Sequence, residues 1–229
     1  MSRRKSKCRS RRRLAFDLDE TWLPLLIYVN AWYNSIKGTE VELEAFTEYR
    51  WNIAWPETFE DTLVYMLQFF QEGHSDKIRP LAGTIKWLVR MSQRDDLVTI
   101  TARQLTLESH TLASIHRYLP GVFESVILCN HMASEGLAIS KAEACQSHRI
   151  DWIIDDSVDH CLDCYAHGIG AIVYGEYPWN RNRALPYGIF RARNMKQVAA
   201  IVNASEKGRR RILGRQNGLT GHGSTGRRT

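Results

Sequence analysis

The sequence reads LAFDLDET from Leu14 to Thr21, and this segment decides the fold. Its first three residues are apolar and end directly at Asp17, which predicts a short buried strand closed by an acid. Asp17 and Asp19 stand two positions apart, so in an extended segment their side chains point the same way. Two carboxylates held in this manner can attack an electrophile and move a proton. An isolated D-x-D segment is more often a surface feature, so its meaning depends on the segments that accompany it.

Short apolar segments alternate with helical ones from residue 97 onward. Four further strands are predicted, at 97–101, 125–129, 152–155 and 170–174, and four helices, at 104–118, 140–148, 158–167 and 195–205. This alternation is typical of an α/β fold in which a central parallel sheet is covered on both faces, a three-layer sandwich. Ligands of such sheets bind outside the carboxyl ends of the strands. The residues that follow each strand are therefore the candidates for function.

Polar and charged residues that could bind a metal ion or a phosphate follow these strands or begin the helices between them. Residues 101–103 read TAR, Lys141 begins a later helix, and residues 155–156 are both aspartates. Together with Asp17 and Asp19 they would form a site rich in carboxylates. Such a site suits a hard cation like Mg²⁺, which keeps several waters and accepts a substrate phosphate. The lysine adds a point charge for the same phosphate, so the pattern predicts a Mg²⁺ site for a small phosphorylated substrate.

This set of motifs, in this order, resembles the haloacid dehalogenase-like (HAD) superfamily of phosphohydrolases over roughly residues 14–180. The resemblance implies a HAD-like, Rossmannoid core and an enzyme that hydrolyses a phosphomonoester. By it, Asp17 is the nucleophile that forms an aspartyl-phosphate. Asp19 is the general acid/base that protonates the leaving group and then activates water. The dehalogenases lack an acid at the position of Asp19, so its presence favours phosphatase chemistry over carbon–halogen cleavage.

The same resemblance implies the phosphate and metal contacts. Thr101 and Lys141 are expected to hold the phosphoryl group, and backbone N–H groups of Leu18 and Ala102 would add donors. The side chains expected at the Mg²⁺ site are Asp17, Asp19, Asp155 and Asp156. In the usual glycine–aspartate version of the last motif the aspartate falls where Asp156 stands. We therefore expect Asp156 to contact the metal directly and Asp155 to act through water or through a neighbouring ligand.

A long insertion, residues 21–80, separates the first two strands and looks helical throughout. Helices are predicted in it at 22–36, 40–55 and 58–72. Connections in an α/β unit are normally much shorter. The insertion is therefore predicted to be a helical cap after the first strand, and the core to comprise 14–20 and 81–206. By the resemblance, such a cap shields the site from water and recognises the leaving group of the substrate. This role favours a small-molecule substrate.

Three shorter segments look like the 5′(3′)-deoxyribonucleotidase-like group of that superfamily: 78–83 (IRPLAG), 98–103 (VTITAR) and 177–181 (YPWNR). A nucleoside (deoxy)monophosphate is therefore the expected substrate. A nucleotidase needs an aromatic surface for the base, because stacking contributes about 1–3 kcal/mol per base. The candidates for substrate contacts are Trp51, Trp55 and Arg103.

Other functions fit the same motifs. The same chemistry could act on a sugar phosphate or a phosphoprotein, or it could pass the phosphoryl group to an acceptor other than water. A catalytically idle core could instead serve as a binding module that uses the basic ends of the chain.

The net charge of +6 comes from the two ends of the chain. Residues 1–13 hold eight basic residues and residues 207–229 hold seven, with no acid in either segment. Residues 14–206 carry 16 basic and 25 acidic residues, an acidic body that makes nucleic acid an unlikely partner beyond weak contacts of the ends. The basic ends are predicted to be a disordered arm and a disordered tail, with nuclear import through the arm as the alternative.

The remaining composition bears on the compartment. No apolar run approaches the ~18 residues of a membrane span, so no membrane partner is expected. Five cysteines, an odd number at low density, favour a reducing compartment such as the cytoplasm. Cys161 and Cys164 form one isolated C-x-x-C pair, which is a weak zinc signal, and we interpret them as small buried residues. The sequence leaves the oligomeric state open.

Overall fold

The computed structural model describes residues 11–131 and 136–205. One parallel sheet contains the strands β1 (Arg13–Phe16), β2 (Asp96–Thr101), β3 (Phe123–Leu128), β4 (Trp152–Asp155), β5 (Gly170–Tyr174) and β6 (Ile189–Ala192). The α-helices of the described segments are α1 (Leu25–Lys37), α2 (Phe59–Gln71), α3 (Thr84–Ser92), α4 (Glu108–Tyr118), α5 (Lys141–Ser147), α6 (Val158–Ala166) and α7 (195–205). The predicted α/β class with a central parallel sheet is confirmed.

β1 lies in the middle of the sheet, whose strand order is β3-β2-β1-β4-β5-β6. Leu14 pairs with Leu97 of β2 on one side and with Trp152 of β4 on the other. The chain moves outward from β1 to β3 and then starts again at β4 on the opposite side. The order therefore reverses between β1 and β4, and open α/β sheets bind their ligands at such a reversal. This topology places the residues that follow β1, β2 and β4 next to one another.

Alternate strand residues pack into two separate cores, as the two-residue period of a strand requires. Ala15 and Ile153 belong to the core that contains residues of α5 and α6. Phe16 and Ile154 belong to the larger core that contains residues of α3, α4 and α7. Both faces of the sheet are thus covered, which confirms the three-layer sandwich. The cysteines at 161 and 164 are fully buried in the first of these cores.

Residues 21–80, which we refer to as the cap, contain α1, α2 and three 3₁₀ turns, and some of them line a cavity together with residues that follow the strands. The rings of Tyr33 in α1 and Trp55 stack with their centroids 4.0 Å apart in the interior of the cap. Where the cap joins the core, the Leu81 N–H donates a hydrogen bond to the Trp22 carbonyl at 2.9 Å. The two ends of the insertion therefore meet, which allows the cap to be inserted without disturbing the sheet.

The predicted helix at 40–55 is wrong, because this segment contains only two short 3₁₀ turns, Leu43–Ala45 and Trp51–Ile53. Side chains of α1 form hydrogen bonds with backbone groups of this segment that a helix would use itself. The Asn30 and Asn34 amides donate to the Val41 carbonyl at 2.7 and 3.0 Å, and the Val41 N–H donates to Asn34 Oδ1 at 3.0 Å. A backbone held by side chains in this way cannot join an i→i−4 ladder.

The structure also adds a strand that the sequence did not predict. β6 reads IFRA, and the arginine interrupts the apolar pattern that marked the other strands. Arg191 lies on this edge strand and donates to the Asn180 carbonyl at 2.9 Å. Its charge is therefore satisfied at the rim of the sheet, so it does not prevent the strand from forming.

The basic arm ends earlier than the predicted boundary at residue 13. Arg13 opens β1, and Arg12 Nε donates to Asp95 Oδ1 at 2.7 Å. Arg11 pairs with Asp96 at 2.7 Å. Residues 1–10 of the predicted arm, and all of the tail at 207–229, lie outside the described residues.

Among the helices that the structure describes, none combines the length and the apolar character needed to cross a membrane.

Candidate active site

Lys141 lies at the centre of the candidate site. Its Nζ donates to Asp155 Oδ2 at 2.7 Å and lies 2.9 Å from Asp17 Oδ2. The side chains of all three residues are at most 3% exposed. A charge at this depth needs a partner, so the ammonium and the two carboxylates stabilise one another. The structure thus places the predicted phosphate-binding lysine in contact with the predicted nucleophile.

A capping box sets the position of Lys141. Ser140 Oγ accepts the Glu143 N–H at 3.0 Å, and the Ser140 N–H donates to Glu143 Oε2 at 2.7 Å. This reciprocal pair begins α5, whose first residue is Lys141. The S-x-x-E pattern at 140–143 is visible in the sequence and predicts the start of this helix.

Three carboxylates converge beside the lysine. Oxygen atoms of Asp17, Asp155 and Asp156 lie within 4.8 Å of one another. Asp155 uses both of its oxygens, one for the lysine and one for the Ser157 N–H at 2.9 Å. Asp17 Oδ1, by contrast, is buried without a partner among the described residues. Asp156 accepts the Trp179 indole N–H at 2.8 Å on Oδ2 alone. Carboxylate oxygens without a partner among the described residues therefore remain on Asp17 and Asp156, whereas both oxygens of Asp155 are engaged.

The electrostatics of this cluster fit a cation. Burial raises the pKa of Asp17 to about 6, against the lowering effect of Lys141. Burial, and then repulsion from Asp155, raise the pKa of Asp156 well above its usual range. Burial also acts to raise the pKa of Asp155, but Lys141 and His160 bring it below its usual range. One lysine thus does not compensate three carboxylates, and their unused oxygens suit a hard divalent ion such as Mg²⁺.

Asp19 lies apart from the three converging carboxylates. Its side chain forms a bidentate ion pair with Arg103, with Nε–Oδ2 at 2.9 Å and Nη2–Oδ1 at 2.7 Å. The Asp19 carboxylate is not part of the potential ligand cluster. Asp19 lines the cavity, where the expected general acid/base would lie. The expectation that its side chain is also a metal ligand is corrected, because the carboxylate lies outside the ligand cluster. Arg103, expected to contact substrate, lines the same cavity and is paired there with Asp19.

The remaining predicted phosphate contacts lie beside Asp17. Thr101 ends β2, next to β1, and is 1% exposed. Within residues 11–131 and 136–205, the N–H groups of Leu18 and Ala102 donate to no protein acceptor. Unused N–H groups at the carboxyl edge of a sheet are suitable donors for phosphate oxygens. The geometry is thus compatible with the expected phosphate-binding role of these three residues.

A cavity of about 200 Å³ opens from this cluster toward the cap. One face of α2 supplies much of its apolar wall, through Phe59, Leu63, Met66 and Phe70. The core supplies polar groups, among them Gln104 and His131. Tyr49 of the cap also lines the cavity, with its ring centroid 5.4 Å from that of His160.

The two tryptophans expected to contact substrate lie in different places. Trp51 lines the cavity. Trp55 is 1% exposed, and its indole N–H donates to Asn30 Oδ1 at 3.0 Å inside the cap. The expectation that Trp55 contacts substrate is therefore corrected, because the ring stacked on Tyr33 leaves no free face toward the site.

Sequence reasoning missed two residues that touch the acidic cluster. Trp179 donates to Asp156, and His160 Nδ1 lies 3.5 Å from Asp155 Oδ1. Trp179 belongs to the YPWNR segment, whose sequence indicates only a similarity to the deoxyribonucleotidase-like group. Its contact with Asp156 depends on the path of the loop that follows β5, which the sequence does not show. His160 follows Asp155 by five positions, in the first turn of α6, so its proximity depends on the start of that helix.

Comparison with solved structures identifies the fold. A haloacid dehalogenase-like family hydrolase from Streptococcus pneumoniae matches with a TM-score of 0.64 at 17% identity, covering 84% of this chain and 98% of that one. The chain has the HAD-like fold. A protein described as the HAD hydrolase YfnB from Bacillus subtilis, bound to magnesium, matches at 0.59 and 14% identity, covering 85% and 100%. One described as a phosphoglycolate phosphatase from Lactobacillus delbrueckii matches at 0.57 and 12% identity, covering 83% and 97%.

No protein-family model and no curated protein sequence matches the chain. The resemblance drawn from the short motifs is nevertheless confirmed at the level of the HAD-like fold, because the structures it matches are HAD hydrolases.

Proposed function

We propose that the protein is a Mg²⁺-dependent phosphomonoesterase that works through an aspartyl-phosphate on Asp17. The observation that carries the proposal is the position of Asp17. Its Oδ1 is buried without a partner in the described part of the chain, its Oδ2 lies 2.9 Å from Lys141 Nζ, and two further aspartates adjoin it. Support also comes from the matched structures, one of which is described as a phosphoglycolate phosphatase and one as bound to magnesium.

The residues of this site can divide the reaction into two steps. An oxygen of Asp17 attacks phosphorus, the ester P–O bond breaks, and Asp19 gives a proton to the departing oxygen. Water then attacks the phosphorus of the aspartyl-phosphate while Asp19 takes its proton, so phosphate leaves and Asp17 is regenerated. Lys141, Thr101 and the unused N–H groups would hold the phosphoryl oxygens throughout. Bound Mg²⁺ would neutralise the acids and the phosphate oxygens that approach them.

Removal of divalent metal is expected to silence the enzyme. Without a cation, the phosphate dianion would meet a cluster of carboxylates that a single lysine already fails to compensate. We expect treatment with a chelator to reduce phosphatase activity to background and excess Mg²⁺ to restore it. Asp156→Asn should raise the Mg²⁺ concentration needed for half-maximal activity by at least about tenfold, since one charged ligand is lost. Full activity in metal-free buffer would remove the cation from the mechanism.

For the substrate, we propose a nucleoside (deoxy)monophosphate. The support is the cavity of about 200 Å³ lined by Asp19 and Asp156, with the apolar face of α2 on one side and Trp51 at its wall. A base could rest against these side chains. The deoxyribonucleotidase-like segments of the sequence point to the same substrate class.

A panel of phosphomonoesters tests this specificity. We expect nucleoside monophosphates to show a kcat/KM at least about tenfold above sugar phosphates, phosphoglycolate and a phosphopeptide. Trp51→Leu should raise KM for the nucleotide about tenfold, the loss of one stacking contact. Trp87→Leu on α3, outside the cavity, is the matched control and should leave KM unchanged. Preference for a sugar phosphate or a phosphopeptide would refute the nucleotide proposal while leaving the phosphatase chemistry intact.

A further inference from the structure

Arg103 and Asp19 form an ion pair at the boundary between core and cap. The fork of the guanidinium occupies both carboxylate oxygens of Asp19, at 2.9 and 2.7 Å. The Arg103 side chain is 4% exposed, whereas that of Asp19 is 20% exposed toward the cavity. A bidentate pair fixes the plane and the position of a carboxylate, which the single ammonium of a lysine cannot do. The orientation of Asp19 in the cavity is therefore set by Arg103.

Two other elements hold Arg103 itself. Its Nη1 donates to Thr111 Oγ1 of α4 at 3.0 Å, and that hydroxyl donates onward to the Leu107 carbonyl at 2.8 Å. The guanidinium also lies 4.8 Å from the centroid of the Phe70 ring on cap helix α2, within the range of a cation–π contact. Arg103 thus touches Asp19, a helix of the core and a helix of the cap at the same time.

We infer that Arg103 is a positioning residue that places Asp19 at the leaving group, and that Phe70 of the cap sets the position of Arg103. The inference rests on the proposed function, because the step it concerns is the proton transfer between Asp19 and the leaving oxygen. It carries a distinctive consequence. Loss of the fork should slow reactions whose leaving group needs that proton and should spare reactions whose leaving group does not.

Arg103→Lys tests this consequence with two substrates. A nucleoside monophosphate has an alkoxide leaving group that must be protonated, whereas 4-nitrophenyl phosphate releases a stable phenolate. In single-turnover experiments with Mg²⁺, we expect the rate of phosphoryl transfer from the nucleotide to fall at least about tenfold more than the rate from 4-nitrophenyl phosphate. KM for both should stay within about threefold. Equal losses on the two substrates, or an effect on KM alone, would overturn the positioning role.

Arg117→Lys is the matched control. Arg117 is also an arginine of the core that reaches the cap, since its Nη2 donates to Asp76 Oδ1 at 2.8 Å, but it lies outside the cavity. Its substitution should leave the ratio of the two rates unchanged. Phe70→Leu keeps an apolar side chain under Arg103 and removes the ring, so a smaller change of the ratio in the same direction is expected. An unchanged ratio in this variant would overturn the link to the cap.

A double substitution separates this role from a general effect on folding. In an Asp19→Asn background, Arg103→Lys should cause little further loss, because the two residues act as one unit. Losses that multiply would show that Arg103 acts elsewhere and would overturn the inference. Failure of the wild-type enzyme to hydrolyse either substrate would refute the proposed function itself. Hydrolysis of both, with an unchanged ratio in Arg103→Lys, would refute the inference about Arg103 alone.

Discussion

Asp17→Asn is expected to abolish phosphatase turnover, by at least about 10⁴-fold in kcat, and to leave the fold intact. The amide has almost the shape of the carboxylate but is a far weaker nucleophile. The fold should be retained, because Asp155 still compensates Lys141 at 2.7 Å and the substitution removes one negative charge from three that repel one another. Steady-state kinetics with a nucleoside monophosphate and Mg²⁺ would measure the loss, and thermal unfolding would measure stability.

Two further variants make this experiment decisive. Asp163→Asn changes a partly exposed aspartate of α6 outside the cavity and should keep wild-type kcat. Asp17→Ala guards against slow deamidation of the asparagine, which would regenerate the nucleophile. Turnover at the wild-type rate in Asp17→Ala would contradict the assignment of Asp17.

Lys141→Met is expected to remove both activity and stability. The lysine is fully buried and lies 2.7 and 2.9 Å from its two aspartates. Burial acts to lower the pKa of Lys141, but Asp155 and Asp17 raise it well above its usual range, so it is charged in the folded protein. Removing one partner from a buried ion pair lowers the free energy of unfolding by about 3–5 kcal/mol. Activity should fall with it, because a cation that would hold the phosphoryl oxygens is lost.

Mg²⁺ should partly rescue the stability of this variant, since a bound cation would compensate the carboxylates that the lysine leaves behind. Denaturant unfolding with and without Mg²⁺ measures the effect. Lys86→Met, on the exposed side of α3, is the control and should stay within about 0.5 kcal/mol of wild type. A fully stable Lys141→Met protein that hydrolyses phosphomonoesters normally would contradict the role of the ammonium.

The sequence predicts the layout of the site well because a parallel sheet gathers the ends of its strands. β1, β2 and β4 each contain a short apolar run. Asp17 directly follows β1, and β2 and β4 end at Thr101 and Asp155. Once these runs are assigned to neighbouring parallel strands, contact between distant motifs follows from topology. The apolar runs and the alternation with helices are local signals, so no knowledge of side-chain packing is needed to predict them.

The partners of the side chains depend on packing, and the sequence did not predict them. Arg103 and Asp19 are 84 positions apart, and nothing in their local patterns shows that they pair. Trp51 and Trp55 lie four positions apart, yet one lines the cavity and the other is in the interior of the cap. The segment at 40–55 looks helical in the sequence, but side chains of α1 form hydrogen bonds with the backbone of Val41 that a helix would not allow.

The central claim, covalent transfer of a phosphoryl group to Asp17, can be tested most directly by trapping the intermediate. The enzyme, saturated with substrate and Mg²⁺, is quenched in acid within one turnover, and the peptide that contains residues 14–21 is analysed by mass spectrometry. We predict the added mass of one phosphoryl group on Asp17, which should be absent from Asp17→Asn. Rapid hydrolysis of substrate without label on Asp17, or with the label on another residue, would contradict the account.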